Sequence, residues 1–187
     1  MRKYKKGLYS IIQPPTKGNS MGKKVYVECQ LEWARLREDN RDMGPEDGSD
    51  LSRKIESKQG QYIVDCLISD EEEKTMLEKG VPNKGLHAGN WKINKEGNRL
   101  YKAKRGHFNP LFKDKDTGEM GVVTGPPKVF KLVDGEYLPW DWETDGLIGN
   151  GSKATVKLDV YKDKVVTMEK VCINELVVYE AEEEGGF

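Results

Sequence analysis

The chain has 187 residues, of which 34% are charged and 36% are hydrophobic, so it can form one domain with a modest core. Its net charge of −1 hides an uneven distribution, because Met1–Lys24 holds seven lysines or arginines and no acid, while four glutamates lie close to the C-terminus. Without those four glutamates the net charge becomes +3. Charge segregation of this kind excludes little by itself, but it favours nucleic acid or another anionic partner.

The cysteines and histidines argue against disulfides, metals and cofactors. Cys29, Cys66 and Cys172 are widely spaced and form no CxxC motif, which is typical of reduced thiols in a cytoplasmic protein. His87 and His107 fall in no ligand spacing, so we expect no metal site. The basic N-terminus is not followed by an apolar run of signal length, and no window is long enough to span a membrane. We therefore expect a soluble protein of the cytoplasm, or of the host cytoplasm if it is viral.

In chain order, the first predicted segment is a flexible basic arm at 1–24, which contains two adjacent prolines. Val25–Trp33 alternates apolar and polar residues, which predicts a half-buried strand with Trp33 on its buried face. Arg37–Asp50 is acidic and broken by glycine and proline, so it is predicted as a long loop. Gln61–Ile68 is the second predicted strand.

One helix is predicted, at about 69–79, and both of its ends carry sequence signals. Ser69 stands at the N-cap and Glu72 three residues later, which is the spacing of a capping box. Gly80 closes the helix and Pro82 prevents its continuation. At three turns it is too short to be a domain, so we expect an insertion that plugs one end of a sheet.

Short strands without intervening helices make up the rest. Two are predicted at Arg99–Arg105 and Lys128–Val133, and two or three more in Gly146–Tyr179, whereas Tyr137–Trp142 is predicted as a loop because it contains Pro139. This order favours a mainly β fold, a five- to six-stranded antiparallel barrel with long loops.

Domain boundaries follow from these elements. We expect the arm, then a single domain at 25–179, then a disordered acidic tail at 180–187, since glutamates and glycines cannot form a core. A cationic surface joined to an anionic tail can be occupied by that tail, which suggests that the natural ligand of the surface is a polyanion.

The strongest functional pattern is the alternation of cations with aromatic residues. Single-stranded nucleic acid requires this pairing, because cations contact the phosphates while flat rings stack on the bases. The predicted phosphate contacts are Lys102, Lys104, Arg105, Lys128, Lys131, Lys153 and Lys157, and the predicted stacking residues are Phe108, Phe112, Phe130, Trp140 and Trp142. The alternative is that the lysines form the solvated face of a sheet and the rings its core. In particular, Trp140 and Trp142 could equally fold down to cap the barrel.

Catalytic patterns are weak. Gly149–Lys153 is rich in glycine but lacks the full spacing of a phosphate-binding loop and leads into a strand, so a turn is predicted. The sequence contains no serine nucleophile elbow and no histidine beside a nucleophile. We therefore predict no enzyme, while a metal-dependent nuclease using Asp141 and Asp145 stays open as an alternative.

A longer motif in the C-terminal part resembles a known family. Leu147–Lys157 reads LIGNGSKATVK and is similar to the (I/L)IGxGSKxxVK stretch of phage replication single-stranded-DNA-binding proteins of the short-tailed-phage type. The resemblance extends from Gln61 to Phe187 and includes an acidic tail that ends in phenylalanine.

This resemblance implies an OB fold and sequence-independent binding of single-stranded DNA in phage DNA replication, recombination and repair. It also implies that the tail regulates access of DNA and docks the replicative DNA polymerase and the helicase-primase, and it allows a homodimer. The tail residues concerned are Glu180, Glu182, Glu183, Glu184 and Phe187. Besides the nuclease, an RNA-binding or RNA-chaperone barrel and a protein-only adaptor remain alternatives from the sequence.

Overall fold

The structure is a computed structural model that describes residues 22–44, 59–84, 89–163 and 165–178. It is mainly β, as predicted. The strands are β1 (Lys23–Arg35), β2 (Gln61–Ile68), β3 (Trp91–Ile93), β4 (Arg99–Gly106), β5 (Phe108–Lys113), β6 (Met120–Val123), β7 (Lys128–Val133), β8 (Glu136–Pro139), β9 (Ser152–Tyr161) and β10 (Val165–Glu175). The helices are α1 (Asp70–Glu78) and α2 (Trp142–Asp145), with a 3-10 turn at Glu38–Asn40.

Eight strands form one sheet, in the order β3-β4-β2-β1-β9-β10-β7-β8, while β5 and β6 form a separate hairpin. All ladders of the large sheet are antiparallel except the one between β10 and β7. The sheet curls so that β4 approaches β10, where Arg105 Nη1 donates to the Met168 carbonyl. Strand pairing among the described residues does not close a barrel. The curled, mostly antiparallel sheet is OB-like, as predicted, but it has more strands than the five or six predicted.

The core lies on the concave side of this curled sheet. On β9 the alternation seen in the sequence is realised, because Ala154, Val156, Leu158 and Val160 are buried and the residues between them are not. Val25 and Val27 on β1, and their counterparts on β2 and β10, complete the same layer. Burial of these apolar side chains is the main source of stability for the sheet.

Helix α1 has the predicted ends and the predicted role. The Ser69 hydroxyl accepts a hydrogen bond from the Glu72 amide at 3.1 Å, which satisfies one of the free amides of the first turn. Met76 is completely buried in the core cluster, and Glu73 forms an ion pair with Arg99 of β4. The helix therefore plugs the sheet and is tied to its neighbouring strand. Neither helix in the described ranges is long and apolar enough to cross a membrane.

Three sequence predictions need correction. Trp33 is exposed, because it lies in a β-bulge between Glu32 and Arg35 that interrupts the alternation of β1. The segment predicted as a loop at Tyr137–Trp142 forms strand β8 and the start of α2, since β8 is an edge strand and tolerates Pro139 at its end. Strand β1 begins at Lys23, so the last two residues assigned to the basic arm belong to the sheet. Residues 1–21 of the arm and the tail from 180 onward lie outside the described residues.

Candidate nucleic-acid interface

The outer face of the sheet brings three lysines into one row across neighbouring strands. Lys157 of β9 is paired in register with Lys170 of β10, and Lys170 is paired in turn with Lys128 of β7. Neighbouring strands are about 4.8 Å apart, so the row is roughly 10 Å long. We call Lys157, Lys170 and Lys128 the lysine row. Two of its members were predicted from the sequence, on segments that are far apart in the chain.

The carboxylates beside the row pair with Lys24, which is outside the row, and with Lys157, which belongs to it. Lys24 Nζ lies 2.8 Å from Glu169 and 3.0 Å from Asp159, and Lys157 Nζ lies 3.3 Å from Glu169. Burial alone would raise the pKa of Glu169, but the contacts with Lys24 and Lys157 outweigh it and lower that pKa. Glu169 is therefore ionised at neutral pH and neutralises only part of the surrounding positive charge.

Positive charge remains in excess at the other two lysines. Within the described ranges, neither Lys170 nor Lys128 has a carboxylate within ion-pair distance. Partial burial, followed by repulsion from Lys157 and Lys128, lowers the pKa of Lys170. An anion placed between these ammonium groups would remove that repulsion. The row is therefore an electrostatically suitable site for phosphate groups.

Aromatic rings flank the lysine row on both sides. Lys157 Nζ lies 5.8 Å from the ring centroid of Tyr26, and Lys170 Nζ lies 5.8 Å from that of Phe130. Tyr26 is opposite Lys157 in the β1–β9 ladder, and its ring is largely exposed. On the far side, the exposed Tyr137 of β8 lies against Cys172, whose pKa burial raises to about 12. Cations and flat rings thus share this face, as single-stranded nucleic acid requires.

The predicted cations of β4 are outside the lysine row. Strands β2 and β1 separate β4 from β9 in the strand order, but the curl of the sheet brings Arg105 to the Met168 carbonyl of β10, two residues before Lys170. Lys102 Nζ is 2.9 Å from Asp65 Oδ1 on β2, and Lys104 lies opposite Ile63. Arg105 donates to the carbonyls of Thr124, Gly125 and Met168, and burial lowers its pKa. The guanidinium therefore ties β4 to β10 and to the segment before β7.

The two predicted rings of β5 lie on the hairpin. Phe108 packs over Gly121 of β6, where any larger residue would collide with its ring, so it supports the hairpin. Phe112 is exposed. Among the described residues β5 and β6 pair with each other and not with the large sheet, so Phe112 is on the hairpin and not on a strand of the lysine row.

Trp140 and Trp142 resolve one alternative left open by the sequence. Trp140 is buried in the core, and its indole N–H donates to the Gly146 carbonyl at 3.0 Å. Trp142 packs edge-on against it, and Arg37 covers the Trp142 ring at 5.7 Å. Trp140 therefore caps the core and offers no free face to a base.

Lys131 and Lys153 are also engaged. Lys131 is on the opposite face of β7 from Lys128 and lies 2.7 Å from Asp145. Lys153 lies 3.4 Å from Glu175, and both side chains are exposed. An open groove of about 650 Å³ beside Lys153 is lined by two acids, Glu28 and Glu175, and by Lys153 as its one base. This groove lacks the excess positive charge of the lysine row.

The glycine-rich motif serves as a structural turn before β9, as predicted. Ser152 has no exposed surface; its hydroxyl donates to the Gly149 carbonyl and accepts from the Val177 amide, both at 2.8 Å. The Gly151 amide donates to the Leu31 carbonyl, and Asn150 Oδ1 accepts from the Trp33 amide. The motif therefore joins the end of β1, the start of β9 and the segment after β10.

The acids suggested for a nuclease have structural partners. Asp141 caps α2 by accepting from the amides of Glu143 and Thr144. Asp145 accepts from the Asp141 amide and pairs with Lys131, and these contacts lower its pKa. In the parts of the chain that the structure describes, no cluster of three or more metal-ligating side chains is present.

Sequence reasoning missed Lys170 because of a second bulge. Lys170 pairs with Lys157 and Met168 with Leu158, so Glu169 is an extra residue that interrupts the alternation of β10. The sequence therefore suggested two separate segments around it. A usable signal was present, since two well-patterned apolar stretches separated by one or two polar residues can form a single bulged strand.

The sequence matches no protein-family model and no curated protein. The fold is similar to that of the single-stranded DNA-binding protein from bacteriophage Enc34 in complex with ssDNA, with a TM-score of 0.50 and 14% identity over 90% of this chain and 97% of that chain. A structure of that phage protein and one of its C-terminal truncation each give a TM-score of 0.49, at 14% and 13% identity. They cover 94% of this chain, and 93% and 100% of theirs. At this identity the likeness with a TM-score of 0.50 shows a shared fold.

Proposed function

We propose that this protein binds single-stranded DNA without sequence preference, through the lysine row and the rings beside it. The observation that carries the proposal is the excess positive charge at Lys170 and Lys128, which lie beside the ring of Phe130. The shared fold with a phage protein that was solved with ssDNA supports it further.

Binding combines two contributions. Phosphates lie along Lys157, Lys170 and Lys128 and release their counterions, which makes affinity depend steeply on salt. Bases stack on Tyr26 and Phe130, with Tyr137 at the edge of the same face. Neither contribution identifies a base, so the binding is independent of sequence. No covalent step is involved, and the protein acts as a binding protein rather than an enzyme.

The remaining cations and rings predicted from the sequence contribute less. Lys102, Arg105, Lys131 and Lys153 already have partners in the folded chain, so their gain on binding a phosphate is smaller. Phe112 is exposed on the hairpin and is available to a second segment of a long strand.

The motif at Leu147–Lys157 and the phage protein with the same fold support a proposal for the biological setting. We place this protein in phage DNA replication and recombination, where it coats unwound DNA in the host cytoplasm. The acidic tail competes with DNA for the lysine row. Once displaced, the same tail docks the replicative DNA polymerase and the helicase-primase, and two copies can exchange tails in a homodimer.

A direct test is a fluorescence-anisotropy titration of the full chain with labelled oligo-dT, repeated with oligo-rU and with duplex DNA. The proposal predicts tight binding of oligo-dT at low salt, weaker binding of duplex, and mixed-sequence strands bound like oligo-dT. Tighter binding of oligo-rU would favour the RNA-binding alternative instead. A flat titration with every oligonucleotide would reject nucleic-acid binding and favour a protein-only adaptor.

A further inference from the structure

We infer that Trp33, which no part of the family motif includes, is a base-stacking residue for single-stranded nucleic acid. The inference rests on the proposed function and deepens it by adding a contact that is distinct from the lysine row. It starts from a backbone conformation that is unfavourable for tryptophan.

Trp33 has a φ of 51°. This left-handed region is rare for any residue with a Cβ, and a bulky side chain there is an outlier. Trp33 occupies the bulge between Glu32 and Arg35, where β1 loses its regular pairing with β2. A glycine would adopt this conformation without strain. The chain therefore keeps tryptophan where it is less favourable for folding.

A specific contact from a distant segment maintains the bulge. Asn150 Oδ1 accepts a hydrogen bond from the Trp33 amide at 2.8 Å, although the two residues are 117 positions apart. Asn150 belongs to the glycine-rich turn, which is itself anchored through the buried Ser152 hydroxyl. The orientation of Trp33 is thus determined by a rigid part of the fold.

The consequence of this arrangement is an exposed indole. The side chain of Trp33 is 67% exposed, the highest fraction among the large hydrophobic residues that the structure describes. The alternation of β1 would otherwise direct it towards the core, as it does Leu31. Strained backbone that presents a costly apolar surface is typical of a binding site.

The surroundings of Trp33 favour a nucleobase over an apolar partner. Arg35, two residues away, has a half-exposed side chain and only a long contact of 3.9 Å with Asp42. Its guanidinium is available to a phosphate of a strand whose base lies on the indole. A flat ring beside a cation is the combination already seen at the lysine row, so one extended strand can use both.

The test uses the full chain and labelled oligo-dT of at least about 16 nucleotides, the upper site size of one OB fold. Trp33→Ala should lower affinity by about 5- to 150-fold, the range for one stacked base. Trp33→Phe keeps a flat ring and should retain most of the affinity. The matched control Trp91→Phe, at a half-buried tryptophan whose N–H bonds the Pro82 carbonyl, should bind like the original protein.

Two further readouts separate stacking from a structural role. Quenching of tryptophan fluorescence by oligo-dT should largely disappear in Trp33→Phe and persist in Trp91→Phe. Trp33→Gly should melt at a higher temperature than Trp33→Ala, because glycine removes the strain, yet bind DNA as weakly as Trp33→Ala.

Unchanged affinity and unchanged quenching in Trp33→Ala and Trp33→Phe, with the original protein binding normally, would overturn this inference and leave the proposed function intact. Failure of the original protein to bind any single strand would remove both. A Trp33→Gly variant that melts below Trp33→Ala would contradict the role assigned to the strained backbone.

Discussion

The contacts of single side chains explain why the glycine-rich motif contains these residues at these positions. The Ser152 hydroxyl joins the turn to the segment after β10, the Gly151 amide joins it to Leu31 of β1, and Asn150 accepts from the amide of Trp33 in the bulge. In the sequence this motif could be seen as a turn, but its partners Val177 and Leu31 could not be identified, because they are distant in the chain. The resemblance to a family pointed to the motif, and the structure supplies the physical reason for its composition.

Ser152→Ala should reduce the free energy of unfolding by about 1–3 kcal/mol, since the Val177 amide loses its buried acceptor. Urea denaturation followed by circular dichroism measures the change. Glu96→Ala, in an exposed turn, is the control and should change stability little. A loss no larger than that of the control would mean that water replaces the hydroxyl.

Protonation of His107 should destabilise the fold. Its Nδ1 shares a 2.6 Å hydrogen bond with the Tyr62 hydroxyl, and burial followed by repulsion from Arg41 lowers its pKa below the ordinary 6.5. As pH falls below 6.5 the unfolded chain takes up the proton first, so the free energy of unfolding decreases until the folded pKa is reached.

Urea denaturation at pH values from 7.5 down to about 5.5 tests whether the free energy of unfolding decreases as the solution becomes more acidic. His107→Gln should flatten the dependence, whereas His87→Gln, at the other histidine of the chain, should retain it. Stability that rises as the solution becomes more acidic would contradict the lowered pKa.

At the scale of elements, the sequence predicted those features that depend on neighbouring residues, such as helix ends and regular strands. The capping serine and the closing glycine of α1 lie within a few residues of the helix, so its ends could be inferred from the sequence. The strands with unbroken alternation, such as β9, were also identified. The bulges at Trp33 and at Glu169 were missed, since the sequence was interpreted by strict alternation, and each of them affects the placement of a residue that we propose to bind DNA: Trp33 and Lys170.

The cap of α1 offers a matched pair of variants. Ser69→Ala should lower the free energy of unfolding by about 1 kcal/mol because the Glu72 amide loses its acceptor. Ser69→Asp keeps an acceptor and adds a favourable charge at the helix N-terminus, so it should be nearly neutral. Thermal denaturation measures both, and equal melting temperatures for the two variants would contradict the assigned role of the hydroxyl.

Across the whole molecule, the cations predicted from the sequence do not form one continuous trough. Lys102 pairs with Asp65, Arg105 bonds backbone carbonyls between β4 and β10, and Lys131 lies on the other face of its strand. The sequence identified suitable residues but not the strand order, which is a property of long-range pairing. We therefore expect DNA binding to be concentrated on β9, β10 and β7, where Lys170 and Lys128 have no carboxylate at ion-pair distance among the described residues.

The proposed competition between the acidic tail and DNA belongs to this scale, because it involves the binding surface as a whole. Deletion of Glu180–Phe187 should raise the affinity for oligo-dT at low salt, and the gain should shrink as salt increases. A chain with the four glutamates changed to glutamine keeps the length and removes the charge, and it should behave like the deletion. Anisotropy titrations that give equal affinities with and without the tail would argue against competition.

The salt dependence of binding tests the lysine row most directly. For single-stranded DNA each phosphate contact contributes about 0.7 to the slope of log affinity against log salt. The double variant Lys128→Gln/Lys170→Gln should therefore bind more weakly, with a slope shallower by about 1.4. The control, Lys92→Gln/Lys95→Gln, removes two exposed lysines at β3 and should keep the original slope. Equal slopes for the double variant and the original protein would show that DNA lies elsewhere on this fold.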